Sequence, residues 1–176
     1  MTGLAETTHL LNRGHSSAKH RVHFCSRCGT LASHAVHAPR GPGGKAPLER
    51  VCRDCGMGVL LTCSRAALDW SNAAFLIVTA DLRVSAVSVS AEPLFGREQD
   101  LVGSTLLASV RSPIGEEELA AAVARAASGG SEIARIPVTA ATRVPPHVRP
   151  FSARVAACGP PRGALVAVEP QVPPTD

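Results

Sequence analysis

Residues 73–110 read AAFLIVTADLRVSAVSVSAEPLFGREQDLVGSTLLASV, and the succession of patterns in them decides the expected fold. Ala74 to Thr79 is a short apolar run rich in strand formers, stopped at Asp81. Arg83 to Ser88 forms a second strand, with Asp81-Leu-Arg as the turn between the two. Ala91–Phe95 has room for only a helical turn or two before Gly96, and Gln99–Val102 is another short piece.

Downstream lies the clearest helix. Ser112-Pro113 reads as an N-cap followed by proline at the first helical position. Glu116, Glu117 and Glu118 crowd the first turns, where the helix dipole favours anions. Leu119, Ala122, Val123 and Ala126 recur at helical spacing, and Gly129-Gly130 stops the run. Three strands are predicted after it, at Glu132–Thr139, Val148–Ala157 and Ala164–Glu169, separated by Pro145-Pro146 and by the Gly159–Gly163 turn. In the middle one Phe151, Ala153, Val155 and Ala157 alternate with Ser152, Arg154 and Ala156, as in a half-buried strand. This string predicts an α+β domain: a five-stranded antiparallel sheet with helices inserted after its second strand.

Residues 73–170 resemble a PAS domain in the order and spacing of these features. The residues that carry the resemblance are Phe75–Thr79, Asp81, Val84–Ser88, Glu92 to Leu94-Phe95-Gly96, Glu98–Asp100 and Leu101-Val102-Gly103. One departure is Ser88, where many members have asparagine. The resemblance implies a PAS-like sheet around a cavity that takes a small apolar molecule, or an interaction and dimerisation module. Haem and flavin are not expected. Residues 64–157 lack the cysteine a photoactive flavin site needs, and residues 103–130 lack an axial histidine. The resemblance implies a homodimer, since the family commonly pairs through the sheet face or the segment leading into it, here Ala66–Trp70; the alternative is that Trp70 covers the junction between the two modules within one chain.

The front of the chain is built differently. Cys25-Ser-Arg-Cys28-Gly29 and Cys52-Arg-Asp-Cys55-Gly56 share the form C-x-x-C-G, separated by 23 residues with a Pro/Gly-rich loop, Ala38–Pro47, in the middle. A knuckle aims two thiolates and several backbone N–H groups at one ion, and its turn calls for a glycine at positive φ. Four thiolates in a tetrahedron suit a structural zinc ion, so Cys25, Cys28, Cys52 and Cys55 are the predicted metal ligands. The pairs resemble those of zinc ribbons and zinc knuckles. Iron, as in rubredoxins, fits less well, because only Phe24 and Trp70 stand nearby to make an aromatic core. His20, His23, His34 and His37 read as loop and strand histidines, and Cys63, in Val59-Leu-Leu-Thr-Cys63, reads as a small core residue.

The resulting division is a tail at 1–20, a zinc-binding module at 21–63, a linker or short connecting helix at 64–72, the PAS-like domain at 73–170 and a tail at 171–176. Charge follows the same split. Residues 1–70 hold nine Lys and Arg against four Asp and Glu, a net of +5, and residues 71–176 hold nine against ten, a net of −1. A four-thiolate zinc site carries −2 and brings the front to about +3. Its basic residues are scattered, so nucleic acid is a weaker expectation than a protein partner. Aromatic residues, at 3%, are too few for a base-stacking surface. No apolar run approaches the roughly 20 residues of a membrane span, and the first residues have no secretory pattern, so a cytoplasmic protein is expected. No catalytic triad, phosphate-binding loop or paired carboxylates stand out. The reading is a small sensory or regulatory protein, not an enzyme, active in signal transduction or transcription regulation. Its alternatives are a thiol redox switch at the four cysteines and a zinc-ribbon nucleic-acid binder controlled by the back half.

Overall fold

The computed structural model describes residues 21–32, 50–69, 72–141 and 151–170. The strands are β1 (Arg21–Cys25), β2 (Leu31–Ala32), β3 (Leu60–Ser64), β4 (Ala74–Val78), β5 (Val84–Val87), β6 (Val110–Arg111), β7 (Ala134–Ala140), β8 (Phe151–Gly159) and β9 (Gly163–Pro170). The helices are α1 (Glu92–Phe95), α2 (Glu98–Leu101) and α3 (Glu116–Ala127). The strands form one antiparallel sheet in the order β2-β1-β3-β8-β9-β4-β5, with β7 also on β8 and β6 on β7.

This corrects the predicted fold class. The α+β arrangement, a PAS-like five-stranded sheet with inserted helices beside a small zinc-ribbon-like module, is not what the chain forms. The protein is mostly β, and its sheet does not stop at five strands but curls on into the N-terminal hairpin. The physical reason lies in β8. Along one edge it pairs with β9 from Phe151 to Cys158. Its other edge is shared: β7 takes Phe151–Val155, and β3 takes the remaining end through Thr62↔Gly159 and Cys63↔Cys158. Unpaired backbone groups at the end of a long strand are a template for another strand, and β3 occupies it. Periodicity in the sequence reports how a strand is buried but not which strand lies beside it.

The curl gives the sheet two buried faces. Leu76, Val78, Val84, Val166 and Val168 pack with Leu119, Val123 and Phe95 of the helices on one side. Phe75, Ile77, Leu165 and Ala167 pack with Phe24, Leu61, Cys63 and Leu68 on the other. Strands buried on both faces read as continuous apolar runs rather than alternating ones, which is the pattern of Ala74–Val78. Phe24 and Phe75 meet edge to face, with ring centres 5.4 Å apart at 88°. Full burial of side chains of this size contributes roughly 1.5–3 kcal/mol each.

Local chemistry sets the ends of the elements. Ser88, buried at 1% exposure, accepts a hydrogen bond from the Phe75 N–H at 2.9 Å and donates to the Ala73 carbonyl at 3.1 Å, locking the start of β4. α3 is capped at Gly115, not at Ser112, whose hydroxyl instead donates to the Pro137 carbonyl at 3.1 Å. At its other end Gly129, at φ +94°, lets the Gly130 and Gly129 N–H groups bond back to the carbonyls of Arg125 and Ala126, a Schellman closure. Segment 64–69, expected to be a connection, buries Ala67 and Leu68 completely. No helix among the described residues is long and apolar enough to cross a membrane. Trp70, His20, His34, His37, His147, the Ala38–Pro47 loop and both expected tails lie outside the described residues.

Candidate metal centre

β1 ends at Cys25, and the chain turns at once through Ser26-Arg27-Cys28 into Gly29, whose φ is +71°. The Gly29 N–H returns to the Cys25 carbonyl at 3.1 Å. Cys52 to Gly56 repeats this turn, with φ +70° at Gly56 and its N–H on the Cys52 carbonyl at 2.9 Å. The two knuckles are zipped together by backbone bonds. Ser26 donates to the Val59 carbonyl at 2.9 Å, and the Val59 N–H returns to the Ser26 hydroxyl at 3.0 Å.

The four Sγ atoms of Cys25, Cys28, Cys52 and Cys55 lie within 4.8 Å of one another and could hold a metal ion. Cys25 and Cys55 are 3.6 Å apart, and Cys28 and Cys52 are 3.8 Å apart. A tetrahedron of sulfurs about 2.3 Å from a central ion has edges of about 3.8 Å, so the donor set has the size of a four-thiolate site. Backbone N–H groups converge on the sulfurs. Arg27 and Cys28 donate to Cys25 at 3.3 and 3.4 Å, and Gly58 donates to Cys55 at 3.4 Å. The thiols are not equivalent. Burial pushes Cys25 up to about 12 and raises Cys52, whereas the N–H groups of Gly58 and Met57 pull Cys55 down to about 6. A cation entering the quartet therefore displaces protons, among them those that burial holds on Cys25 and Cys52.

Two supporting features carried no motif in the sequence. Gly58 is one: a Cβ there would stand 2.1 Å from the Cys25 sulfur and 2.8 Å from the Arg27 Cβ. Its only sequence signal is a second glycine two residues after the Gly56 of the motif. Arg27 is another. Its guanidinium reaches out of the knuckle to Glu92 at 2.8 Å and Glu98 at 3.1 Å, and its carbonyl accepts the Val89 N–H at 2.9 Å. The Arg27 guanidinium holds the Glu92 carboxyl below its usual range. Glu92 also accepts the Glu98 N–H at 3.1 Å, at the start of α2. Gly29, the glycine of the first motif, has a further role: a Cβ there would stand 3.3 Å from the Phe75 ring and 3.4 Å from the Asn72 backbone. The knuckle is thus built into the sheet and the helices that follow it. His23 is turned to Thr62, with Nδ1 and Oγ1 3.1 Å apart, and Cys63 sits in the core, outside the quartet.

A cleft of about 580 Å³ is lined among others by Asn72, Ala74, Leu94, Phe151 and Arg154, and by no residue of either knuckle. Arg154 is 8% exposed and clamps three segments. Its Nε and one terminal nitrogen grip Glu169 at 3.2 and 2.8 Å, and its other terminal nitrogen bonds the Ala66 carbonyl at 2.8 Å and Asp69 at 3.3 Å. No family model matches the chain, and no curated protein matches it.

Proposed function

We propose that the protein is a zinc-stabilised regulatory module that signals by binding a protein partner. The observation that carries the reading is the donor set itself: four sulfurs within 4.8 Å of one another, two of the separations being 3.6 and 3.8 Å, with backbone N–H groups of both knuckles aimed at the thiols. Four thiolates saturate a zinc ion and leave no open position for a substrate, which is the character of a structural site. The ion then contributes folding free energy to a hairpin too small to hold together by its own core. Support for a binding role comes from the hairpin's outer side, where Val51 and Met57 stand 52% and 72% exposed at the second knuckle. Arg27 gives such a contact a mechanical route to α1 and α2.

The test has two parts. Protein purified without added metal should carry one zinc per chain, and C52S should lose it. M57A and V51A should then weaken partner capture while leaving zinc in place. Full metal occupancy in C52S would overturn the ligand assignment. Unchanged capture by both surface variants would overturn the assigned contact face.

A further inference from the structure

The chain has six cysteines, and four of them form the quartet that could hold a metal ion. The other two, Cys63 and Cys158, come from distant parts of the sequence and meet. They are directly opposite each other in the pairing of β3 with β8, which comprises only Thr62↔Gly159 and Cys63↔Cys158. Opposed residues of an antiparallel pair place their side chains on one face with Cα atoms about 4.5–5.5 Å apart, inside the roughly 4.4–6.8 Å that a disulfide spans. Both side chains lie in the same buried cluster, at 0% and 5% exposure, and both are free thiols. Filling this space requires only a small apolar residue. Packing does not ask for a thiol on both strands of this pairing, which among the described residues joins the N-terminal hairpin to the rest of the sheet.

We propose that Cys63 and Cys158 are a cross-strand dithiol that a low-molecular-weight disulfide such as oxidised glutathione converts to a disulfide, welding the hairpin to β8. One thiolate attacks the glutathione disulfide, forms a mixed disulfide and expels a glutathione thiolate, which takes up a proton. The second cysteine, as its thiolate, attacks the protein sulfur of the mixed disulfide and expels the second glutathione. Two protein thiols become one disulfide, and one oxidised glutathione becomes two reduced ones, so two electrons and two protons leave the protein. Burial pushes both thiols up to about 12, which keeps them inert while the strands are paired. Reaction therefore proceeds through the opening of a two-residue strand joint, and its rate follows that opening. The metal, by holding the hairpin together, slows it. The disulfide, once made, keeps the hairpin docked even when the metal leaves.

The metal-loaded full chain is equilibrated in glutathione buffers of increasing oxidised fraction, quenched by alkylation and analysed by intact mass and non-reducing peptide mapping. The expected product is lighter by two hydrogens and joins the Cys158 peptide to the one bearing Cys63, with fragmentation separating Cys63 from Cys55. It retains its metal and forms faster when chelator is present. C158S abolishes it without loss of metal. Two results would overturn the proposal. One is that both thiols remain alkylatable after denaturation at the most oxidising buffer; the other is that the bond forms within the quartet instead. The unmodified chain alone distinguishes these outcomes, so the test stands even where a variant folds poorly.

Discussion

Gly58 shows how one missing side chain shapes the metal centre. A Cβ at 2.1 Å from the Cys25 sulfur cannot be accommodated without moving the sulfur or the Arg27 backbone 3.0 Å away. Overpacking of this kind costs about 1–3 kcal/mol, which corresponds to a loss of metal affinity of up to about a hundredfold. G58A is therefore expected to lose zinc in competition with a chromophoric chelator. G56A meets nothing within 4 Å and bears only the strain of φ +70°, so its loss should be the smaller of the two. The reverse ranking would show that the turn conformation, and not space, limits the site. Ser88 is a second case. Its hydroxyl is the partner of the buried Phe75 N–H, and S88A leaves that donor unsatisfied at a cost of about 1–3 kcal/mol, measurable by urea unfolding. The clustering of Cys25, Cys28, Cys52 and Cys55 was legible because spacing alone announces a knuckle. Gly58 and Ser88 were not, because what they do depends on atoms distant in sequence.

At the scale of elements, two arginines tie segments that the sequence keeps apart. Arg154 on β8 grips Glu169 on β9 and reaches the 66–69 segment. The hydrogen bonds from Arg154 hold the Glu169 carboxyl below its usual range. A carboxylate whose folded pKa is depressed stabilises fully above its unfolded value, about 4.3, and loses that contribution as pH falls through the lower folded value. The native protein should thus shed stability below about pH 4.5 in part through this pair, and E169Q should show a shallower acid limb in pH-dependent thermal melts. An unchanged limb would mean that Glu169 titrates alike in both states. Arg27 ties the first knuckle to α1 and α2. R27M keeps the backbone N–H groups that serve Cys25, so it should retain metal, while hydrogen exchange of residues 92–101 rises. These are partly exposed pairs, and the expected loss is about 1 kcal/mol. α3 was readable from its spacing, since its apolar stripe follows one face. Its cap was not, because the Ser112 hydroxyl finds β7 instead.

Across the whole molecule, the cluster that joins Phe24, Leu61 and Cys63 to Phe75, Leu165 and Cys158 makes the hairpin a cover for one face of the sheet. Removing the metal should therefore be felt beyond the hairpin. A ligand present at about a thousand times its dissociation constant stabilises the state it binds by about 4 kcal/mol. Chelation should lower the melting temperature of the full chain and expose Phe75 and Ile77 to an apolar dye. The metal-loaded protein should melt in one transition, because both halves share that cluster. Two resolved transitions in calorimetry would show that hairpin and sheet are energetically separate.

By itself the sequence determined what short-range rules govern. It placed four thiols at knuckle spacing with glycine where each turn needs positive φ, and it placed the long helix, its glycine stop and the runs at 74–79 and 164–169. What lies beside what came from long-range strand pairing and packing. The pairing of β3 with β8 made one curled, mostly β sheet where an α+β domain and a separate module were expected. It also set Cys63 against Cys158 and brought Arg27 to Glu92. The physical reason is that periodicity and turn chemistry are written within a few residues of chain. The edge a strand leaves open, and the residue that comes to fill it, are settled by burial and backbone pairing between segments that share no local pattern.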